Sequence, residues 1–191
     1  MTKVAILDEA VHIASKIGFE GLTIGQLADQ AEMSKSGLFA HFKSKEQLQL
    51  QTLDRARMKF VDTVVRQALA TPRGVARAQA LFDGWLSWSD NCDCGCIFVA
   101  ASAELDDQPG PLRDALVRNE RDWLELIATV AGTAVAEGEF REDLDTEQFA
   151  YEVHGVMLAH HHGSRLLRDA RTSGRTSRAF ESLVAAARRA D

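Results

Sequence analysis

Apolar side chains recur at helical spacing along most of the chain, with no strand-like alternation and no internal repeat. Ile6, Ala10, Ile13 and Ile17 mark one face of a helix over residues 3–17, and Gly18 stands where a C-terminal glycine ends it. Ile24, Leu27, Ala28 and Ala31 then follow at i, i+3, i+4 and i+7, so a second, short helix has an apolar face. Thr23 is its N-cap: the hydroxyl accepts from an otherwise orphaned N–H, Gln26 completes a capping box, and Leu22 and Leu27 stand at staple spacing. Ser34 caps a third helix reaching about His41, with Met33 and Leu38 as its staple pair. Helices this short do not hold themselves together in water. They must pack on the first helix, which makes a three-helix unit up to Phe42.

Ser44 and Gln47 form another capping box, opening a long helix through Leu50, Leu53, Phe60, Val64 and Leu69 until Pro72. Further helices are predicted over 75–88, with Leu81, Phe82, Trp85 and Leu86, and over 97–105, before a Pro/Gly-rich loop. Pro111 opens the longest periodic run: Leu112, Leu116, Trp123, Ile127, Val130 and Ala134, up to Gly138. Asp145 with Gln148 begins another helix, to about Asp169. Residues 165–178 read as a connecting turn on their Gly, Ser and Thr content, and a last helix carries Phe180, Leu183, Val184 and Ala187. The expected fold class is all-α: an N-terminal helix-turn-helix unit followed by a C-terminal helical domain.

Length and composition are those of an ordinary globular protein: 191 residues, 46% hydrophobic, 26% charged. No apolar run approaches membrane-spanning length and no signal-peptide core opens the chain, so a cytoplasmic location is expected, with no membrane partner. The net charge is −6, but residues 1–57 balance seven Lys/Arg against seven Asp/Glu, so the acidity lies in the remainder. Any affinity for nucleic acid must come from locally placed lysines.

The third helix supplies them. From Met33 to Lys45 the chain has Lys35, Lys43, Lys45 and His41, and no acid. Its first turn, Lys35-Ser36-Gly37, has no bulk to hold a duplex away, so its N-terminus suits a major groove and nearby phosphate. A surface helical hairpin is the competing reading of the same residues.

Residues 23–48 resemble the DNA-binding domain of the tetracycline-repressor (TetR) family. The resemblance rests on Thr23, Ile24, Leu27, Ala28, Ala31, Met33, Ser34, Leu38, Phe39, His41, Phe42, Ser44, Lys45 and Leu48. Two departures stand out. Glu32 occupies a turn position where the family usually has glycine; if that position needs φ > 0, the cost is about 1 kcal/mol. Phe39 replaces the usual tyrosine and lacks its phosphate-bonding hydroxyl. The resemblance implies that Thr23, Ser34, Lys35, Ser36, Gly37, Phe39, His41 and Lys45 form the DNA-contacting set. Thr23 and Lys45 are expected to set affinity, and the helix from Lys35 to His41 to set sequence choice. It implies a DNA-binding domain over 1–46 and a ligand-binding and dimerisation domain over 47–191. Gly95 to Glu104 and the Pro-Gly-Pro loop resemble the ligand-binding domain of one subgroup.

The expected function is that of a transcriptional regulator, a repressor released from a palindromic operator by a small molecule. It is not expected to be an enzyme, because no His-Glu-x-x-His, Gly-x-Ser-x-Gly or phosphate-binding glycine loop occurs. Phe82, Trp85, Phe98, Trp123, His154 and Met157 are bulky groups with few polar ones, the composition of a pocket for a small apolar or aromatic effector. Plain core packing explains Trp85 equally well. Gly155, Ala159 and Gly163 are spaced by four, a strip of small side chains continued by His162 and Leu166. With Phe180 and Leu183 of the last helix it forms the candidate surface of a twofold homodimer, although a helix of the same chain could fill the strip instead. Cys92, Cys94 and Cys96 lack the spacing of structural zinc, and the expected metal and cofactor complement is none. An alternative keeps the DNA-binding scaffold but triggers it through thiol oxidation or a soft metal at those cysteines.

Overall fold

The computed structural model describes residues 2–91 and 95–188. The described residues form ten α-helices and two π-helical turns, with a single isolated β-bridge between Phe140 and Arg188. The chain divides into two compact units. The first takes residues 1–60 and 92–119, the second residues 61–91 and 120–191.

In the first unit, α1 (Lys3–Gly21), α2 (Ile24–Gln30) and α3 (Lys35–Phe42) are joined by α4 (Lys45–Phe60), α7 (Ile97–Leu105) and the start of α8 (Pro111–Ala136). Of the face that periodicity marked on α1, Ile6, Ala10 and Ile13 are buried, but Ile17, next to the break at Gly18, is 48% exposed. Ile6, Leu22, Leu27, Leu38, Phe42 and Leu48 are all fully buried. Burying each such side chain stabilises the unit by about 1.5–3 kcal/mol, which is how three short helices persist. The staple residues Leu22, Leu27 and Leu38 are thus core residues as well. Asp8 of α1 joins Arg55 of α4 through paired hydrogen bonds of 2.9 and 3.0 Å, and Lys59 approaches the same carboxylate at 3.2 Å. Those cations hold the Asp8 carboxyl below its usual range. Residues 47–60 and 95–119 pack with the N-terminal helices, so this compact unit reaches well beyond the segment 1–46 expected to read DNA.

The second unit contains α5 (Arg66–Leu69), α6 (Val75–Asn91), the remainder of α8, α9 (Thr146–His161) and α10 (Thr172–Ala187). Phe82 and Phe180 stack with centroids 4.0 Å apart, and Phe140 meets Phe149 at 5.4 Å. Around them Val130, Val153 and Met157 are buried, giving a close-packed aromatic and aliphatic core. Gly74, at φ +100, admits the carboxylate of Glu139, which accepts from the Val75 N–H at 2.5 Å and so caps α6.

One expected boundary is corrected. The stretch 165–178 is not a connecting turn throughout: α10 already begins at Thr172, after a π-helical turn at His162–Leu166. Its Ser, Thr and Gly content suggests a loop by local propensity. Burial of Thr172 and Thr176, and bonding of the Thr176 hydroxyl to the Thr172 carbonyl and to His160, overrides it.

Candidate functional sites

The expected DNA-contacting residues lie at the N-caps of α2 and α3, on α3 itself and, for Lys45, at the start of α4. Thr23 caps α2, its hydroxyl accepting from Gln26 N–H at 3.1 Å; Ser34 caps α3, accepting from Gly37 N–H at 3.2 Å. Ser34 and Ser36 also lie within hydrogen-bonding distance of each other at 3.2 Å. The caps satisfy donors that would otherwise face away from any partner, and they fix where α3 starts. Leu38 and Phe42 anchor α3 from below, while Lys35, Ser36, Phe39 and His41 stay exposed and Gly37 is half-buried. This leaves a short polar helix face with a protruding ring, Phe39, free of the unit's own core.

Two features refine the picture. Glu32 does sit at positive φ, 51°, so the turn between α2 and α3 carries the strain that its non-glycine residue implied. Lys45 does not hang free: its ammonium donates to the Glu20 carbonyl and to Glu20 Oε1, both at 2.8 Å. A phosphate contact by Lys45 therefore has to compete with Glu20. Local spacing could not show this, because the partners are 25 residues apart.

The expected effector-pocket residues fall in both units. Phe98 belongs to the first unit, where its ring meets Phe60 edge-on at 5.7 Å. Phe82 and Met157 line a space of only about 10 Å³ in the second unit, so they serve as packed core. Trp85 and Trp123 are buried, and Trp85 lies edge-on to His160 at 6.3 Å. His154 approaches Glu120 at 3.7 Å, too far for a hydrogen bond. Burial pushes the Glu120 carboxyl up and the His154 imidazole down, so each favours its neutral form.

The sequence reading missed His160 as a structural residue. It is buried, with one ring nitrogen 3.1 Å from Thr176 Oγ1 and the other 2.9 Å from Asp90 Oδ1, and so ties α6, α9 and α10 together. Its only sequence signal was its place beside Val153 and Met157 on the inward face of α9.

A larger open groove, about 520 Å³, runs along α9 and α10. Leu158, Ala159, His162, Gly163 and Leu167 line it, so it follows the strip of small residues. Gly155 has open space beside it, and Leu166 is 71% exposed. Phe180 stands apart from this surface, buried against Phe82 within its own unit, and Leu183 is half-buried. Cys92 and Cys94 lie outside the described residues, Cys96 is buried, and no group of metal-ligating side chains occurs among the described residues. No helix among them is long and apolar enough to cross a membrane.

Two family models match the chain. The first, bacterial regulatory proteins of the tetR family, covers residues 6–52; the second, the tetracyclin repressor-like C-terminal domain, covers residues 74–180. Among solved structures, a TetR transcriptional regulator from Chloroflexus aurantiacus superposes with a TM-score of 0.83 at 24% identity, over 95% of this chain and 91% of that one. A TetR-family regulator from Cytophaga hutchinsonii superposes with a TM-score of 0.86 at 16% identity, over 100% and 99%. The ketosteroid regulator KstR2 of Mycobacterium tuberculosis gives 0.71 at 17%, over 99% and 96%. A comparison with curated proteins found no match. Matched by both family models, over its helix-turn-helix and over its C-terminal helices, the chain belongs to the TetR family of DNA-binding transcriptional regulators.

Proposed function

We propose that this regulator is a repressor that binds a near-palindromic operator as a homodimer and leaves it when a small effector binds the C-terminal domain. The observation that carries the reading is α3: capped at Ser34, anchored by Leu38 and Phe42, and presenting Lys35, Ser36, Phe39 and His41 outward. In this reading residues 1–46 address DNA and residues 47–191 receive the effector and dimerise. The effector is a largely apolar or aromatic compound meeting the buried Trp85 and Trp123 and His154, whose burial favours its neutral form. It acts only through a difference in affinity for the DNA-binding and released conformations.

The open groove with Leu158, Ala159, Gly163 and Leu167, on the same helical run as the exposed Leu166, supports the dimer, because an apolar groove of this kind favours cover by a self-complementary surface. The test is selection of bound duplexes from a random pool, followed by sedimentation of the complex. A near-palindrome bound by two chains is the expected result. A non-repetitive site bound by one chain rejects the dimer reading, and failure to enrich any sequence rejects α3 as the reading helix.

A further inference from the structure

The last turn of α1, beyond its break at Gly18, is held from outside by three side chains. Gly18 leaves the helical conformation at φ 79, ψ 170, which turns the next two amides away from α1. Both donate to one carboxylate: Phe19 N–H to Glu104 Oε2 at 2.8 Å and Glu20 N–H to Glu104 Oε1 at 2.5 Å. The two carbonyls of the same residues are also taken, Phe19 O by Gln49 Nε2 at 2.6 Å and Glu20 O by Lys45 Nζ at 2.8 Å. A Cβ on Gly18 would lie 2.6 Å from Glu104 Oε2, so a side chain there would collide with the carboxylate as well as strain the backbone.

Charge-assisted bonds from one carboxylate to successive amides are both strong and directional. Glu104 sits on α7, some 85 residues from its partner, yet it grips the last turn of α1, which leads to the buried Leu22 and the α2 cap Thr23. From there α2, the turn at Glu32 and α3 follow as one packed piece, through Leu27, Leu38 and Phe42. Local helix-forming signals cannot set the direction of that piece relative to α1; contacts between elements do, those to residues 18–20 among them.

We propose that Glu104 is a positioning residue for DNA recognition: it fixes the 18–20 turn and thereby the angle at which α3 presents Lys35, Ser36 and Gly37 to base edges. A displacement of α7 reaches α3 through these two bonds. The proposal rests on α3 being the reading helix.

The experiment uses the full chain, a duplex selected from a random pool by the wild-type protein, and a scrambled duplex of the same length. Glu104→Ala is expected to weaken binding to the selected duplex about tenfold, as expected for loss of a charged hydrogen-bonding partner, while binding to the scrambled duplex holds. The Phe19 and Glu20 amides should exchange faster with solvent. Glu104→Gln, which retains one acceptor oxygen, should give an intermediate ratio of the two affinities. Asp8→Asn removes a different α1 contact and should lower the melting temperature without changing that ratio. A wild-type ratio in Glu104→Ala, or in Glu104→Gln if the alanine variant does not fold, overturns the proposal. Failure of the wild-type protein to select any duplex would instead overturn the reading of α3.

Discussion

Thr172 fills the space that a side chain at residue 163 would need: a Cβ on Gly163 would lie 2.6 Å from Thr172 Oγ1. Gly155, two turns earlier on the same strip, has nothing within 4 Å of where its Cβ would be. One strip of small residues therefore has two physical causes. At Gly163 the approaching element belongs to the same chain. At Gly155 none of the described residues requires the glycine, which leaves a partner chain as the reason we propose for it.

Substitutions separate the two. Gly163→Ala should destabilise the folded protein by about 1–3 kcal/mol through overpacking, read as a lower denaturant midpoint. Gly155→Ala should raise the stability of a monomer by roughly 1 kcal/mol, since helical glycine is the costlier residue. Gly155→Leu should give monomers by sedimentation and lose operator binding while remaining folded; a Gly155→Leu protein that stays dimeric would remove this helix from the interface.

Glu32 holds φ at 51° in the turn between α2 and α3. Replacing it with glycine should relieve about 1 kcal/mol of backbone strain. The expected outcome is a rise in melting temperature with operator affinity unchanged. A fall would show that the Glu32 side chain contributes more than its backbone costs.

Glu20 masks Lys45 through the ion pair at 2.8 Å, although its own side chain is 77% exposed. An exposed pair of this kind is weak, so a phosphate can compete for the ammonium. Glu20→Gln should therefore tighten binding to all duplexes and steepen the dependence of log K on log salt by up to about one unit. Lys45→Ala should weaken binding to all duplexes alike. Equal salt slopes in Glu20→Gln and wild type would leave Lys45 as a structural link to α1.

Lys35 stands exposed in the first turn of α3, behind the Ser34 cap. Lys35→Ala should change which operator variants are preferred, because base-edge contacts specify while phosphate contacts position. Uniform weakening on every variant would place Lys35 on a phosphate.

Glu120 has its carboxyl pushed up by burial, and His154, whose own burial favours the neutral imidazole, brings no charge to offset the lost hydration. A raised folded pKa means the unfolded chain releases that proton more readily. The contribution of Glu120 to stability is thus fully present below the ordinary carboxyl range and lost as pH rises through the folded value. Glu120→Gln should stabilise the protein at pH 7, and the gain should vanish below about pH 4. A constant difference across that range would mean that the charge of Glu120 is not what matters.

The order of helices, the two caps at Thr23 and Ser34, and the buried faces through Leu22, Leu27, Leu38 and Phe42 were all legible in the sequence. Each depends on residues within one or two turns of one another, and capping and periodicity are local physics. The helix-turn-helix segment was legible for the same reason, and its strained Glu32 could be anticipated from a missing glycine. The start of α10 could not, because burial of Thr172 and Thr176 beside His160 outweighs what their side chains prefer locally. Nor could any periodicity show that Phe82 and Phe180 stack as core, leaving only about 10 Å³ beside them. The Glu104 bonds to Phe19 and Glu20, the Lys45–Glu20 pair and the Thr172–Gly163 contact join residues that no local rule relates. The sequence by itself determined which helices form and which faces they bury. Only the tertiary structure decided which glycine is filled, which lysine is masked and which acid holds the last turn of α1, because those outcomes depend on distances between elements distant along the chain.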